Sequence, residues 1–108
     1  MKTIYNKLVR DRIPEIIASN GQKCVCRTLS QQEYLSALDV KLNEELKEYQ
    51  HDKSMEELAD LLEVIHAVIA ARGSTYEQVE TIRLAKKEKR GGFEQKIWLE
   101  SVQTPNEK

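Results

Sequence analysis

Hydrophobic residues recur every three or four positions in two long stretches of the chain, a spacing that places side chains on one face of an α-helix. The pattern predicts a first long helix over about residues 31–51 and a second over about 55–72. Each follows a Ser-x-x-Glu capping box, which begins at Ser30 and at Ser54. The apolar stripes are formed by Leu35, Leu38, Leu42, Leu46 and Tyr49 in the first helix, and by Leu58, Leu61, Leu62, Ile65, Val68 and Ile69 in the second.

The remaining predicted elements are shorter. Pro14 suits the first turn of a short helix over 14–20, and a further helix is predicted over about 76–90, before a pair of glycines. Residues 23–29 alternate in polarity and are predicted to be a strand or extended. Residues 93–102 are predicted to be extended or a packed tail.

The break between the two long helices is only a few residues long, so the helices are expected to be antiparallel neighbours. The predicted fold class is therefore all-α, with an antiparallel helical hairpin that completes a four-helix bundle by oligomerisation. Residues 1–103 are predicted to form a single domain, and residues 104–108 a frayed C-terminal tail.

The net charge of −1 conceals an uneven distribution. Residues 33–63 carry a net charge of −7 and the rest of the chain +6, a pattern unlike that of a uniformly basic nucleic-acid binder. No apolar run is long enough for a membrane span, and the N-terminus lacks a signal-peptide core. We therefore expect a soluble, cytoplasmic protein without nucleic-acid or membrane partners, and we expect Cys24 and Cys26 to be reduced thiols.

The acidic residues of the two long helices can be placed by geometry, because an α-helix turns about 100° per residue. Relative to the centre of its apolar stripe, the first helix carries Glu45 at about −60° and Glu48 at about −120°. The second carries Glu57 and Asp60 at about the same two angles. The two pairs also lie at matching distances from the turn, so in an antiparallel hairpin the four carboxylates are predicted to converge on one patch.

Converging carboxylates repel each other unless their pKa values rise or cations bind. Oxygen donors of this kind suit Mg²⁺, Mn²⁺ or Ca²⁺. The pattern predicts a metal site formed by Glu45, Glu48, Glu57 and Asp60, with Glu44 beside it. The competing interpretation is that these acids only solvate one face of the hairpin.

A di-iron site is a further alternative, because both histidines stand in Glu-x-x-His patterns, at Glu48 to His51 and at Glu63 to His66. The helical angles place both histidines away from the carboxylate patch. We therefore expect the two histidines to be surface or partly buried polar residues rather than metal ligands.

Two basic clusters flank the acidic centre. Lys7 and Arg10 lie near the N-terminus, whereas Lys86 and Arg90 lie one helical turn apart near the end of the last predicted helix. Each cluster is suited to binding phosphates. The alternative is an ordinary solvated surface, with the second cluster complementing its helix dipole.

Three segments, in order, resemble the MazG-like all-α nucleoside triphosphate pyrophosphohydrolases, and in particular a small branch labelled phosphoribosyl-ATP pyrophosphohydrolase-like. The segments are Asn6–Ile17, the acidic pattern Glu44-Glu45-x-x-Glu48 with Glu57-x-x-Asp60, and Lys86-x-x-x-Arg90-Gly91-Gly92-Phe93. Together they cover about residues 5–99.

The resemblance implies a Mg²⁺-dependent enzyme that hydrolyses a nucleoside or deoxynucleoside triphosphate to the monophosphate and pyrophosphate, as in the house-cleaning of non-standard nucleotides. By that resemblance, Glu45, Glu48, Glu57 and Asp60 would hold the metal. Glu44, Glu45 and Glu48 would be the catalytic carboxylates, with Glu44 orienting the attacking water.

The resemblance also implies that Lys7, Arg10, Lys86 and Arg90 bind the phosphates of the substrate. Members of the family assemble as homodimers or homotetramers, so a neighbouring chain could supply some of these basic groups. Two alternatives remain open: hydrolysis of phosphoribosyl-ATP, and a non-catalytic regulatory module that binds a nucleotide or a metal.

Overall fold

The structure of the protein, a computed structural model, describes residues 1–106 and is all-α, which confirms the predicted class. Its four helices are α1 (Ile13–Ser19), α2 (Gln31–Asp52), α3 (Met55–Ala71) and α4 (Tyr76–Arg90). The chain divides into two compact units, one from Met1 to Tyr76 and one that begins at Glu77. No helix within the described part of the chain is long and apolar enough to cross a membrane.

The segments between and after the helices are irregular. Within residues 1–106 no β-strand forms, so the strand alternative for residues 23–29 is wrong, because a strand needs a neighbour to satisfy its backbone hydrogen bonds. Residues 93–102 begin with a turn, in which the Lys96 amide donates to the Phe93 carbonyl at 3.1 Å, and they are exposed rather than packed. The predicted frayed tail falls partly on residues 107–108, outside the described residues.

Capping residues begin the two long helices where the pattern places them. Ser30 and Glu33 form a reciprocal capping box at the start of α2. The Ser54 hydroxyl accepts a hydrogen bond from the Glu57 amide at 3.3 Å. Gly73 has a φ of +81° after α3, a left-handed conformation that glycine adopts without steric cost and that commonly ends a helix.

Helices α2 and α3 pack against each other as an antiparallel hairpin. Only Lys53 and Ser54 connect them, and Lys53 adopts a left-handed conformation with a φ of 57° that reverses the chain. At the far end, the Gln31 side chain donates to the Ala71 carbonyl at 3.2 Å. The hairpin therefore holds its two helices together from the turn to the open end.

The buried face of the hairpin coincides only in part with the predicted apolar stripes, which supply the buried residues Leu38 and Ile69. Leu38 is 3% exposed and Val64 is 7% exposed, yet Val64 lies outside the predicted stripe. Leu38 lies about 40° and Val64 about 90° from the centre of its stripe, in both cases on the side of the acidic residues. The interface between α2 and α3 therefore includes part of the carboxylate patch, whereas part of each apolar stripe faces outward.

An apolar groove of about 360 Å³ runs along this outward-facing part. Its lining residues are Asp39, Leu42, Asn43, Leu46, Leu61 and Ile65. Leu46 is 41% exposed although it belongs to the predicted stripe. The groove is the place where the hairpin presents hydrophobic surface that its own two helices do not cover.

Candidate metal centre

The two long helices bring acidic side chains together in two groups of three. Glu45, Glu57 and Asp60 each offer a carboxylate oxygen, and these oxygens lie within 4.8 Å of one another. Glu48, Asp52 and Glu57 form a second group by the same measure. We call the first group the inner trio and the second the outer trio. The two trios adjoin because Glu57 belongs to both, and each of the four predicted ligands is a member of at least one trio.

The inner trio is the less exposed of the two. Glu45 is 9% exposed, and its carboxylate lies 3.4 Å from the ammonium group of Lys41, one turn earlier on α2. Glu48 and Asp52 of the outer trio are exposed. A nine-tenths-buried carboxylate requires a partner charge or a cation, and Lys41 supplies part of that compensation.

Glu57 is the carboxylate of the two trios whose pKa is raised. Desolvation raises its pKa above the usual range, and the nearby Glu48, Asp52, Asp60 and Glu45 raise it further. Among residues 1–106, no lysine or arginine nitrogen lies within 4.0 Å of its carboxylate. Either protonation of Glu57 or a bound cation would relieve the repulsion among these carboxylates.

The N-terminal segment places its two predicted phosphate-binding residues against the acidic patch, within the same chain. The Arg10 guanidinium donates from Nη2 to Oδ1 of Asp60 at 2.8 Å. The Lys7 ammonium lies 3.7 Å from Oε1 of Glu44. Both cations therefore neutralise acidic groups of the hairpin in this structure.

Glu44 lies beside the trios and belongs to neither. Its Oε1 atom is shared between Lys7 and Lys41, the latter at 3.5 Å. An assisting role for Glu44 beside the ligand set stays a prediction.

Sequence reasoning missed Asp52 and Lys41. Asp52 is four residues after Glu48, the spacing that places two side chains on one helical face, but the prediction ended the first long helix at residue 51, before Asp52. Lys41 carries the same signal at four residues before Glu45. The periodicity of charged residues, applied as strictly as that of apolar ones, would have found both.

Lys86 and Arg90 lie in the second unit, on the last turns of α4, and are exposed. Arg90 borders a cavity of about 240 Å³ in that unit, together with Phe93 and Lys96 among others. A role for Lys86 and Arg90 at the carboxylates stays a prediction.

Neither histidine belongs to either trio. His51 bonds to the neighbouring Asp52 at 2.6 Å, and this bond raises the pKa of His51. His66 stacks on Tyr76 with ring centroids 4.6 Å apart. The cysteines are free and exposed.

The chain has local similarity to one curated relative. A 42-residue segment is 60% identical to part of an uncharacterized protein of Mycolicibacterium smegmatis (strain ATCC 700084 / mc(2)155), which corresponds to 39% of this chain and 43% of that protein. The chain thus spans less than half the length of the relative that it matches. No protein-family model matches the chain, and no solved structure does.

Proposed function

We propose that this protein is a Mg²⁺-dependent nucleoside triphosphate pyrophosphohydrolase of the MazG-like type. The observation that carries the proposal is the inner trio, in which Glu45, Glu57 and Asp60 present oxygens within 4.8 Å of one another across two helices. The sequence resemblance described above supports the same assignment. The substrate would be a nucleoside or deoxynucleoside triphosphate, and the protein would act in the cytoplasm.

The donor chemistry fits Mg²⁺. The ion prefers oxygen ligands and usually binds a small number of carboxylates while retaining several waters. A trio of half-buried carboxylates offers such a ligand set, and it includes no sulfur or imidazole among the described residues. Glu45, Glu57 and Asp60 would hold the ion, which would supply positive charge against the negative charge that develops on the substrate phosphates.

The protein's own residues would hold and orient the reactants. Glu45, Glu57 and Asp60 would bind the metal at the inner trio, and Glu48 would extend the site toward the outer trio. Glu44 would orient a water toward the α-phosphorus and accept its proton.

The basic residues would bind the phosphates. Lys7 and Arg10 already lie at the acidic patch, and we assign them to the triphosphate. Lys86 and Arg90 share a face of α4 near its end and could neutralise the departing pyrophosphate.

Hydrolysis can be tested with a panel of nucleoside and deoxynucleoside triphosphates, with phosphoribosyl-ATP included, in the presence of Mg²⁺. We expect a monophosphate product and pyrophosphate from at least one triphosphate, and no product after chelation with EDTA. Turnover of phosphoribosyl-ATP alone would favour the narrower alternative. No turnover of any substrate would favour the non-catalytic module and reject the proposed activity.

A matched pair of variants on α3 tests the ligand set. Asp60→Asn should lower activity by about 100-fold or more, because loss of even an indirect metal contact costs 10–100-fold. Glu56→Gln is the control, because Glu56 is exposed, lies next to Glu57 and belongs to neither trio. Equal activity of the two variants would reject the inner trio as the metal site.

We further propose that a second copy of the chain covers the apolar groove. The groove places Leu42, Leu46, Leu61 and Ile65 at the surface, and contiguous exposed apolar surface commonly marks an interface. Two such hairpins would form a four-helix bundle. Sedimentation should show a dimer or tetramer that Leu46→Glu weakens; a monomer at all concentrations would contradict this.

A further inference from the structure

Arg10 connects the N-terminal segment to the metal-site helix α3. It lies three residues before α1 begins at Ile13, and its own carbonyl accepts a hydrogen bond from the Ile13 amide at 3.1 Å. Its guanidinium reaches Asp60, 50 residues away in sequence. The ion pair is open to solvent, since the side chains are 57% and 43% exposed.

The three carboxylates of the inner trio differ in their partners. Glu45 has Lys41, which is fixed on the same helix one turn away. Glu57 has no cation partner within 4.0 Å among residues 1–106. Asp60 has Arg10, which comes from outside the hairpin, so Arg10 is the cation that can leave while α2 and α3 stay in place.

We propose that Arg10 is a resident counter-ion of Asp60 that a divalent cation displaces, and that the displaced guanidinium then binds the phosphates of the substrate. This inference rests on the proposed function and adds an order of events: the metal, alone or with its nucleotide, first releases Arg10 from Asp60, and Arg10 then binds the phosphates. The Arg10 side chain would thus neutralise Asp60 before the metal binds and would bind the substrate phosphates afterwards.

Competition follows from the geometry at Asp60. Its Oδ1 atom accepts the hydrogen bond from Arg10 at 2.8 Å, whereas a carboxylate oxygen bound to Mg²⁺ lies about 2.0–2.1 Å from the ion. A metal at the inner trio and a guanidinium on the same carboxylate would repel each other. An ion pair this exposed shifts an equilibrium by only about fivefold or less, so a divalent cation can displace it.

The released guanidinium remains close to the phosphates that it would bind. Its planar array of donors matches the oxygens of a phosphate and can form two parallel hydrogen bonds. Arg10 would therefore oppose metal binding in the absence of substrate and favour nucleotide binding once the metal is present. The two effects have opposite signs and can be separated by experiment.

Mn²⁺ binding without nucleotide tests the first effect, with the free ion measured by its paramagnetic resonance signal. Arg10→Gln should bind Mn²⁺ more tightly than the unmodified protein, by up to about fivefold. Arg12→Gln is the matched control: it removes the same charge two residues away, from an exposed side chain, and should leave the affinity unchanged. Asp60→Asn should bind Mn²⁺ more weakly.

Nucleotide kinetics test the second effect. Arg10→Gln should raise KM for the triphosphate at saturating Mg²⁺ far more than it lowers kcat. Arg10→Lys keeps a positive charge but loses the paired donors, so it should restore the Mn²⁺ affinity toward that of the unmodified protein while KM stays raised. Circular dichroism would verify that each variant is folded.

The outcomes separate the inference from the function on which it rests. If the unmodified protein and Asp60→Asn bind Mn²⁺ equally, or neither binds it, both the metal site and the inference are overturned. If Asp60→Asn loses affinity but Arg10→Gln binds Mn²⁺ no more tightly than the unmodified protein, the metal site stands and the role of Arg10 as a displaced counter-ion is rejected.

Discussion

Glu45 provides a direct test of whether the buried acid of the hairpin serves binding rather than stability. It is 9% exposed, and Lys41 lies 3.4 Å from its carboxylate. Replacing it by leucine would remove a desolvated charge and add apolar surface to the interface of α2 and α3. Lys41 would not be left unpaired, because Glu44 also lies 3.5 Å from it.

The expected size of the effect follows from burial. A buried leucine contributes about 1.5–3 kcal/mol to folding, and loss of the Lys41 ion pair costs up to about 1 kcal/mol. Removal of one partner of a buried ion pair is strongly destabilising when the other charge is left unpaired, a cost that is avoided here because Lys41 keeps Glu44 at 3.5 Å. We therefore expect Glu45→Leu to stabilise the metal-free protein by about 1–2 kcal/mol, and each kcal/mol to raise Tm by about 4–8 °C.

Thermal unfolding followed by circular dichroism measures this change in EDTA and again with Mg²⁺ in excess. In EDTA, Glu45→Leu should melt at a higher temperature than the unmodified protein. With Mg²⁺ at about 100 times its Kd, the unmodified protein should gain about 2.7 kcal/mol, whereas the variant should gain far less. The order of the two melting temperatures should therefore reverse.

Glu63→Leu is the matched control, because Glu63 is an exposed acid on α3 outside both trios. It should change stability by no more than about 0.5 kcal/mol and keep the full response to Mg²⁺. A Glu45→Leu protein that is less stable than the unmodified one in EDTA would refute the reasoning about burial. An equal Mg²⁺ response in both proteins would refute the assignment of Glu45 as a ligand.

Three further predictions concern the helix caps and the thiols. The Arg27 side chain and the capping box lower the pKa of Glu33 to about 2. Glu33 therefore binds fewer protons in the folded state than in the unfolded state. Its contribution to folding stability is complete well above pH 4.5 and is lost as the pH falls toward 2. Denaturant titrations should therefore show that Glu33→Gln reduces the acid sensitivity of stability, and an unchanged pH profile would contradict this. Ser54→Ala should destabilise α3 by about 1 kcal/mol through loss of its N-cap, as measured by the denaturant midpoint; an effect within experimental error would show that this hydroxyl contributes nothing. The sulfur atoms of Cys24 and Cys26 lie 3.7 Å apart, so glutathione disulfide should oxidise the two thiols to an intrachain disulfide while being reduced to two glutathiones. Mass spectrometry should detect the loss of two hydrogens from the unmodified protein, whereas the Cys26→Ser variant should take up one glutathione. A stable glutathione adduct on the unmodified protein, in place of the loss of two hydrogens, would contradict the prediction.

The helices were predictable because local signals determine them. Ser30 and Ser54 begin α2 and α3 as expected, and α4 spans 76–90 as predicted. Caps act within one turn, so a single sequence contains the information. The same holds for Glu45 and Glu57, whose proximity follows from helical phase and a short turn.

The buried face was less predictable, because an apolar stripe does not reveal what covers it. Leu46 belongs to the stripe and is 41% exposed, whereas Val64 lies outside it and is 7% exposed. Periodicity reports which positions avoid water, not whether the same chain or another molecule buries them. The pairing of Arg10 with Asp60 was not predictable either, because no periodic pattern connects residues 50 positions apart.

The short connection between α2 and α3 determines where this hairpin can change in length during evolution. Each residue inserted within a helix rotates everything beyond it by about 100° and moves it by about 1.5 Å, so an insertion between Ser54 and Asp60 would separate the inner trio. An insertion beside Lys53 is different, because Ser54 would still begin α3 and hold Glu57 in the same helical phase through its amide hydrogen bond. The turn is therefore the position where a loop can be gained or lost while the carboxylates keep their alignment.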